Sequence, residues 1–251
     1  MTTLTPTLWF SIHDFDDRYP GAEPAFTDPS SFAWATELSA HVQQIKQELG
    51  AYLQEHQLDG YFNTAMVNRS NSWKTIALKT WSIQLFKNQK AFPKTTALLN
   101  QYPQIVSASF NLLEPGARIL PHAGDTNAIF RCHLGLEIPA GLPECGFMVK
   151  GEKRAWENGQ WLVFMDAHEH EAWNDSPNPR YIFLIDVMRD EFASRQTFVC
   201  STVLTSLFLQ KRAQTFTFLH KAKPTTVKFL SGALRPFAAA ALRLSNALKL
   251  F

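Results

Sequence analysis

The sequence predicts a mainly β fold, a sandwich or jelly-roll barrel with α-helices at both ends of the chain. Three observations support this prediction. Apolar and β-branched runs of strand length follow one another closely between residues 105 and 188, turn-forming residues separate them, and helical periodicity is confined to the flanks. The predicted strands of this central part are 105–113, 117–121, 128–138, 146–150, 161–166 and 180–188.

The part of the chain before residue 105 is predicted to add a helix and further strands. Five apolar residues with helical spacing are Leu38, Val42, Ile45, Leu49 and Leu53. They predict a supporting helix within about 30–58 that packs on the outside of a sheet. Aromatic and β-branched runs at 61–62, 73–78 and 81–86 predict strands, and a Pro in the first turn predicts a short helix over 93–101.

The C-terminal segment differs from the rest of the chain in charge. After Glu191 the last 60 residues contain no Asp or Glu and nine basic residues, whereas the preceding part carries 15 basic and 22 acidic side chains, a net charge of −7. The apolar residues with helical spacing are Phe237, Ala241, Leu244, Leu248 and Phe251. They predict a helix that starts at Pro236. This helix either packs on the barrel or on a second subunit, or it presents a basic amphipathic surface to a membrane or an acidic carrier protein.

Composition and motifs exclude several classes of protein. Cys132, Cys145 and Cys200 are too irregularly spaced for a disulfide framework or a thiolate metal site, and they fit a reducing compartment. No apolar run is long enough to span a bilayer, and the N-terminus lacks the basic region of a signal peptide. No nucleic-acid-binding motif is present. The sequence therefore predicts a cytoplasmic protein that is at most peripheral at a membrane.

The segment 120–137 carries side chains that suit a functional site. Read as a strand, it has a continuous apolar face formed by Phe130, Cys132, Leu134 and Leu136. The opposite face places the guanidinium of Arg131 and the imidazole of His133 side by side. His122 lies just upstream, between a Pro and a Gly that shape the local backbone.

A second histidine-rich segment and a further arginine complete the pattern. His168 and His170 follow later in the chain, and Arg180 begins another apolar strand. Two neutral imidazoles that leave coordination positions open suit iron(II) and oxygen chemistry. In one class of such enzymes 2-oxoglutarate chelates the metal, and its distal carboxylate needs a planar cation such as Arg. The pattern predicts that His122 and His170 hold a metal and that Arg180 binds an anionic co-ligand.

Four segments in this order resemble the aspartyl/asparaginyl β-hydroxylase family of Fe(II)/2-oxoglutarate-dependent oxygenases. They are 121–127 (PHAGDTN), 131–136 (RCHLGL), 169–173 (EHEAW) and 180–187 (RYIFLIDV). Weaker similarity extends from near Trp81 to about Phe192. The resemblance implies a cupin-like double-stranded β-helix over about 73–190. We therefore predict an oxygenase domain of residues 1–191 and a basic, acid-free helical extension of residues 192–251.

The resemblance also implies roles for five residues. By position, His122 and His170 match the family's metal ligands. His133 and Arg180 match residues that bind 2-oxoglutarate, with Arg180 as the partner of its distal carboxylate. Asn111 stands where the family often has a Ser that also contacts 2-oxoglutarate, and an amide can donate a similar hydrogen bond.

The metal's third protein ligand is left open by the sequence. Most 2-oxoglutarate oxygenases carry a carboxylate two residues after the first His, but here that position is Gly124, as the family often shows. Asp125, directly or through water, and His168 are alternative ligands. Asp166 is predicted to orient an imidazole. An open position could instead accept chloride, as in related halogenases.

The implied activity is hydroxylation of an unactivated C–H bond with Fe(II), 2-oxoglutarate and O2. The favoured substrate is the β-carbon of an aspartyl or asparaginyl group in a peptide, on a carrier or in a free amino acid. Arg131 is predicted to bind the substrate's carboxylate, while Ile129 stands where some members have a second Arg. Trp81 is a candidate for substrate contact, although core packing is the favoured interpretation. Two other functions remain open: a lipid acyl-chain hydroxylase at a membrane surface, and a non-catalytic metal-binding cupin-like module.

Overall fold

The computed structural model describes residues 6–13, 18–215 and 223–251 of the 251-residue chain. Eleven strands form two antiparallel sheets within these residues. The strands are β1 (Asp59–Gly60), β2 (Trp73–Thr80), β3 (Ile83–Gln84), β4 (Ile105–Leu113), β5 (Ala117–His122), β6 (Ile129–Glu137), β7 (Cys145–Val149), β8 (Glu152–Arg154), β9 (Trp161–Met165), β10 (His170–Asn174) and β11 (Arg180–Met188).

The two sheets form the predicted double-stranded β-helix. The larger sheet has the order β1-β2-β4-β11-β6-β9, with β3 added to β2, and the smaller sheet has the order β5-β10-β7-β8. Strands that are distant in the chain therefore pair, such as β4 with β11 and β5 with β10. This crossing of connections is typical of a jelly roll and confirms the predicted fold class.

The larger sheet is buried on both faces. One face packs against N-terminal helices through a core that includes Phe92, Phe110 and Phe183, whose neighbouring ring centroids are 4.7 and 4.9 Å apart. The other face meets the smaller sheet, where Phe147 and Phe164 pack at 4.8 Å. As the alternation in the sequence predicts, Cys132, Leu134 and Leu136 of β6 lie in the first of these cores.

In the described part of the chain, six α-helices flank the sheets: α1 (Ala33–Ala40), α2 (Val42–Glu55), α3 (Phe86–Gln89), α4 (Pro93–Leu99), α5 (Gln196–Thr215) and α6 (Pro224–Leu248). The supporting helix predicted within 30–58 is present but is divided at His41. Glu48 of α2 accepts hydrogen bonds from the backbone N–H groups of Lys94 and Thr95, so α2 caps the start of α4.

Several predicted element boundaries were wrong. β8 and β10 were not predicted, because the first is exposed and charged and the second directs its polar side chains into the site instead of showing an apolar alternation. The predicted strand 81–86 shrinks to β3, and Phe86 begins α3. The strand expected at 61–62 lies two residues earlier, at β1.

The predicted start of the C-terminal helix at Pro236 was also wrong. Helix α6 begins at Pro224 and contains Pro236 in its interior. Proline there removes one backbone hydrogen bond, whose acceptor would have been the carbonyl of Gly232. Gly232 and Pro236 are both exposed, so water can satisfy that carbonyl.

The C-terminal helices pack against one end of the larger sheet. Val199 and Val203 of α5 share a buried cluster with Val106 of β4 and Ile129 of β6. A common core thus joins the parts of the chain before and after residue 191. The division into two units at residue 191 remains a prediction. Among the described residues, none of the helices is sufficiently long and apolar to cross a membrane.

Candidate active site

A pocket between the two sheets brings together most of the predicted site residues. Its polar lining consists of Asn111, His122, Arg131, His133, His170, Glu171 and Arg180. Its apolar lining includes Trp73, Ile119, Phe147, Trp156, Ile182 and Leu184. Strands from both sheets contribute, so the site exists only when the two sheets face each other.

His122 and His170 form a pair of preoriented imidazoles. The register of β5 and β10 sets the two residues opposite each other, and their ring centroids are 4.2 Å apart. Nδ1 of His122 lies 2.8 Å from the Leu120 carbonyl, and Nδ1 of His170 lies 2.7 Å from the His168 carbonyl. A carbonyl can only accept, so each Nδ1 carries the proton and each Nε2 keeps a lone pair for a metal.

The histidine pair fits an iron(II) ion. Burial lowers the pKa of His122 to about 4 and that of His170 well below the usual range, so both rings are neutral at pH 7. Neutral imidazoles with a fixed tautomer are the form that binds a divalent ion. Among the described residues, no group of three or more His, Cys, Asp and Glu side chains is arranged as a metal site.

The Asp166 carboxylate occupies the space next to Gly124. A Cβ atom on Gly124 would lie 1.9 Å from Asp166 Oδ2, so only glycine fits here unless the carboxylate moves. Asp166 Oδ1 lies 4.0 Å from Nε2 of His170. The carboxylate of Asp166, from the turn before β10, thus lies beside the histidine pair. It is close to Gly124, the position at which most 2-oxoglutarate oxygenases carry an acidic ligand.

Arg180 is a buried cation that has no anionic partner among the residues that the structure describes. Its side chain is 1% exposed, and its Nε and Nη1 groups have no hydrogen-bond partner among the described residues. The guanidinium stacks on Trp156 at 4.3 Å, and burial lowers its pKa to about 10. An uncompensated buried charge is costly, so this arrangement is that of a binding site for an anion.

His133 and Asn111 line the same end of the pocket as Arg180. Nδ1 of His133 accepts a hydrogen bond of 3.3 Å from the Trp156 indole, which leaves the proton of the neutral ring on Nε2. Burial, and secondarily Arg180, lowers the pKa of His133 well below the usual range. Asn111 accepts from the Trp73 indole at 3.1 Å and donates to Ser109. The structure thus places in the pocket both His133 and Asn111, which the sequence predicted to bind 2-oxoglutarate.

Arg131 also lines the pocket, but two carboxylates already surround its guanidinium. Nε and Nη2 donate to the two oxygens of Asp186 at 2.8 and 3.1 Å, and Nη1 lies 2.6 Å from Asp166 Oδ1. Burial raises the pKa of Asp166 above the usual range, and the charge of Asp186 adds to this, although Arg131 opposes it. Arg131 is thus in contact with two acidic side chains, which leaves it less available to a negatively charged substrate.

The structure does not bring three of the considered residues into the pocket. Trp81 is 3% exposed and packs in the cluster under the C-terminal helices, so we assign it to packing and not to substrate contact. Nε2 of His168 faces Glu23 at 3.6 Å, whereas its backbone carbonyl orients His170. Asp125 accepts a hydrogen bond of 3.2 Å from Ser206 of α5, and within the described ranges it belongs to no group of three or more possible metal ligands.

Sequence reasoning missed several residues of the site. Trp156 and Asp186 each hold one of the two arginines, and Tyr61 stacks on Trp73 with ring centroids 3.8 Å apart. Burial and the nearby Asp125 raise the pKa of Tyr61. Only Asp186 left a signal in the sequence, as an acid in an otherwise apolar strand.

The profile of the family described as Aspartyl/Asparaginyl beta-hydroxylase matches residues 39–190. The chain belongs to this family. The match includes every residue that lines the pocket. It ends at residue 190, before the start of α5. The C-terminal helices are thus outside the part that defines the family.

Two curated members of this group differ in substrate. The ornithine lipid ester-linked acyl 2-hydroxylase of Rhizobium tropici is 30% identical over 171 residues, which cover 66% of this chain and 61% of that protein. Human aspartyl/asparaginyl beta-hydroxylase is 37% identical over 112 residues, which cover 43% of this chain but only 14% of that protein. The chain therefore spans about three fifths of the first relative and a small part of the second.

Solved structures show only distant likeness. A predicted oxalate decarboxylase from Thermotoga maritima matches 54% of this chain and 96% of its own, with 12% identity and a TM-score of 0.36. A cupin domain of a transcriptional regulator from Enterobacter cloacae matches with 14% identity and a TM-score of 0.33, over 47% of this chain and 98% of its own. These values are too low to bear on function.

Replacing Gly124 by Ala should displace the Asp166 carboxylate. The added methyl group would overlap with the carboxylate, which Arg131 holds in a buried position. We expect a loss of stability of about 1–3 kcal/mol in urea unfolding and weaker binding of Co2+ in a calorimetric titration. Gly50→Ala is the matched control, because nothing lies within 4 Å of that added methyl group, and this helix position should gain about 0.5–1 kcal/mol. Equal behaviour of the two variants would contradict the proposed steric role of Gly124.

The His122 and His170 pair should contribute a loss of stability to the metal-free protein as the pH falls from about 6.5 towards 4, opposite in sign to the contribution of Asp166, whose folded pKa is raised. Unfolded histidines protonate near pH 6.5, whereas burial lowers the folded pKa of His122 to about 4 and lowers that of His170 as well. Between these values the unfolded chain binds more protons, so acid favours unfolding. Urea midpoints measured across this range will test it. The double variant His122→Gln/His170→Gln lacks this contribution, so its stability should fall less than that of the wild-type protein over this range, or rise, and an unchanged slope would count against neutral buried imidazoles.

Proposed function

We propose that this protein is an Fe(II)- and 2-oxoglutarate-dependent hydroxylase. The observation that carries the proposal is the juxtaposition of two preoriented imidazoles with the buried, unpartnered guanidinium of Arg180 in one pocket. A site that only stored a metal would have no use for an uncompensated cation beside it. The guanidinium therefore favours an enzyme with an anionic co-substrate over a metal-binding module.

The 2-oxoglutarate molecule would bind between the histidine pair and Arg180. Its distal carboxylate would receive the two N–H groups of Arg180 that have no partner, and the planar guanidinium suits a carboxylate geometrically. The Nε2–H of His133 and the amide of Asn111 are further donors in this pocket. Trp156 holds Arg180 and His133 at once, so it fixes both donors.

The metal would be held by Nε2 of His122 and of His170. When bound, iron(II) would supply the redox chemistry that hydroxylates a C–H bond with O2. The second oxygen atom would go to 2-oxoglutarate, which is converted to succinate and carbon dioxide. The protein's own part is to fix both imidazoles through backbone carbonyls and to exclude water with the aromatic lining. Whenever it is ionised, the Asp166 carboxylate beside His170 makes a chloride ion at this position unfavourable, because the two negative charges repel each other.

For the substrate we propose the acyl chain of a lipid. Arg131 is the residue expected to bind a substrate's carboxylate, but Asp166 and Asp186 already occupy its guanidinium, so a substrate carboxylate would have to displace one of them. Ile129 is buried in the core and adds no second cation. The apolar lining of the pocket suits a hydrocarbon chain, and the Rhizobium tropici relative is named as an acyl hydroxylase.

Hydroxylation of an aspartyl or asparaginyl group is the second candidate. The human relative carries that name and has a higher identity over a shorter match, and Arg131 lines the pocket at 20% side-chain exposure. This substrate would require the Asp166 or Asp186 contacts of Arg131 to open. Under either candidate, the three cysteines are buried and unpaired, which supports our proposal of a cytoplasmic location.

Arg180→Lys should weaken the use of 2-oxoglutarate. An ammonium group cannot provide two parallel N–H donors, so we expect KM for 2-oxoglutarate to rise about 10–100-fold. Succinate release measured with Fe2+ will show this. Arg118→Lys is the matched control, because Arg118 is about half exposed and pairs with Asp175 outside the pocket. A similar KM for both variants would contradict the assignment of Arg180.

The same assay separates an enzyme from a binding module. His122→Ala and His170→Ala should each abolish succinate release, since each removes one of two imidazole ligands. A wild-type protein that binds Fe2+ but never converts 2-oxoglutarate, with or without a lipid present, would favour the metal-binding module instead.

Mass spectrometry on a substrate panel should find one added oxygen on an acyl chain. The panel should contain phospholipids and aminolipids, Asp- and Asn-containing peptides, and free amino acids, each with Fe2+ and 2-oxoglutarate. Asp186→Asn leaves Arg131 with one carboxylate fewer and should raise activity on any acidic substrate relative to the lipid. Hydroxylation of peptides alone by the wild-type protein would replace our first candidate with the second.

A further inference from the structure

The long helix α6 presents an apolar stripe to solvent. Its residues are Phe229, Ala233, Phe237, Ala240, Leu244 and Leu248, which we call the α6 stripe. The spacing of three and four residues places them on one face of the helix. The four large side chains are between 57 and 75% exposed. Most exposed apolar residues are isolated, so a continuous row on a helix of 25 residues requires an explanation.

The α6 stripe is exposed because the opposite face of the helix is already used. Val227 and Leu242 pack against the buried cluster that α5 shares with the larger sheet. Asn246 accepts from the backbone N–H of Gln84 and donates to the carbonyl of Ser82. Arg235 stacks on Phe198 at 4.4 Å. These contacts fix the rotation of α6, so the stripe faces away from the rest of the protein.

The charge around the stripe is uniformly positive. No Asp or Glu follows Glu191, and nine basic residues lie in the same 60 residues, although the preceding part has a net charge of −7. Arg243 is exposed along one edge of the stripe, Lys228 is exposed in the first turns of the helix away from the stripe, and Lys223 and Lys249 are exposed at the two ends of the helix. An apolar face bordered by Lys and Arg is the pattern of a helix that lies in a membrane interface.

We infer that the α6 stripe docks the protein on the surface of an anionic lipid bilayer. The large apolar side chains would enter the boundary between headgroups and acyl chains, while the basic residues would contact anionic headgroups. A second copy of the chain is a poorer partner. A symmetric contact through this face would bring two acid-free segments together, and their positive charges repel each other.

Membrane docking adds a partner surface to the proposed function. It rests on the proposed function only in the reason for docking, which is to bring a lipid substrate close to the pocket. A lipid acyl chain must leave the bilayer to enter a pocket, and an enzyme held at the surface shortens that transfer. Docking itself requires no turnover, so it can be measured separately from the reaction.

Flotation with vesicles tests the inference on the full-length protein. Vesicles of phosphatidylcholine alone are compared with vesicles that also contain phosphatidylglycerol. The stripe variant is Phe237→Glu/Leu244→Glu, and the matched control is Leu142→Glu, an exposed apolar residue outside the C-terminal segment at 43% exposure. Thermal unfolding of each variant verifies the fold, and succinate release is measured on the same preparations.

We expect the wild-type protein and Leu142→Glu to float with the anionic vesicles and the stripe variant to lose binding by about tenfold or more. Equal flotation of the stripe variant, failure of the wild-type protein to float, or equal binding to neutral vesicles would overturn the inference. A wild-type dimer in light scattering that the stripe variant abolishes would also overturn it, in favour of a contact between copies. Flotation without succinate release would leave the docking surface valid and contradict the proposed reaction.

Discussion

The antiparallel pairing of β5 with β10 is the constraint on which the active site depends. Its register sets His122 opposite His170, and the backbone carbonyls of Leu120 and His168 then fix both rings in the same tautomer. Neither residue could be positioned by its own strand alone. The pairing also brings the turn before β10 next to Gly124, where the Asp166 carboxylate fills the space that a larger residue would need.

Two arginines that line the same pocket have opposite electrostatic conditions. Among the described residues Arg180 has no carboxylate partner, and the Trp156 ring holds its guanidinium in place. A bound anion would therefore compensate a buried charge that otherwise destabilises the fold. Arg131 is enclosed by Asp166 and Asp186, so it orders the wall of the pocket without offering a free charge. This difference is the physical basis for placing the co-substrate at Arg180 and an uncharged group near Arg131.

The C-terminal helices combine a structural contact with an exposed surface. Helix α5 covers the end of the larger sheet and reaches Asp125 through Ser206, close to the histidine segment. Helix α6 packs on α5 through one face and leaves its larger apolar side chains in solvent. A segment outside the family match therefore connects the barrel to a surface of different chemistry from the rest of the chain.

The sequence by itself determined the fold class, the strands with strong alternation, and the identity of the residues around the pocket. These features depend on local periodicity and on motifs with fixed spacing. The tertiary structure alone decided how the charges pair, because Asp186 approaches Arg131 only through the pairing of β11 with β6. It also decided that Trp81 is a core residue and that Phe237 faces solvent, since helical spacing identifies an apolar face but not whether another surface covers it.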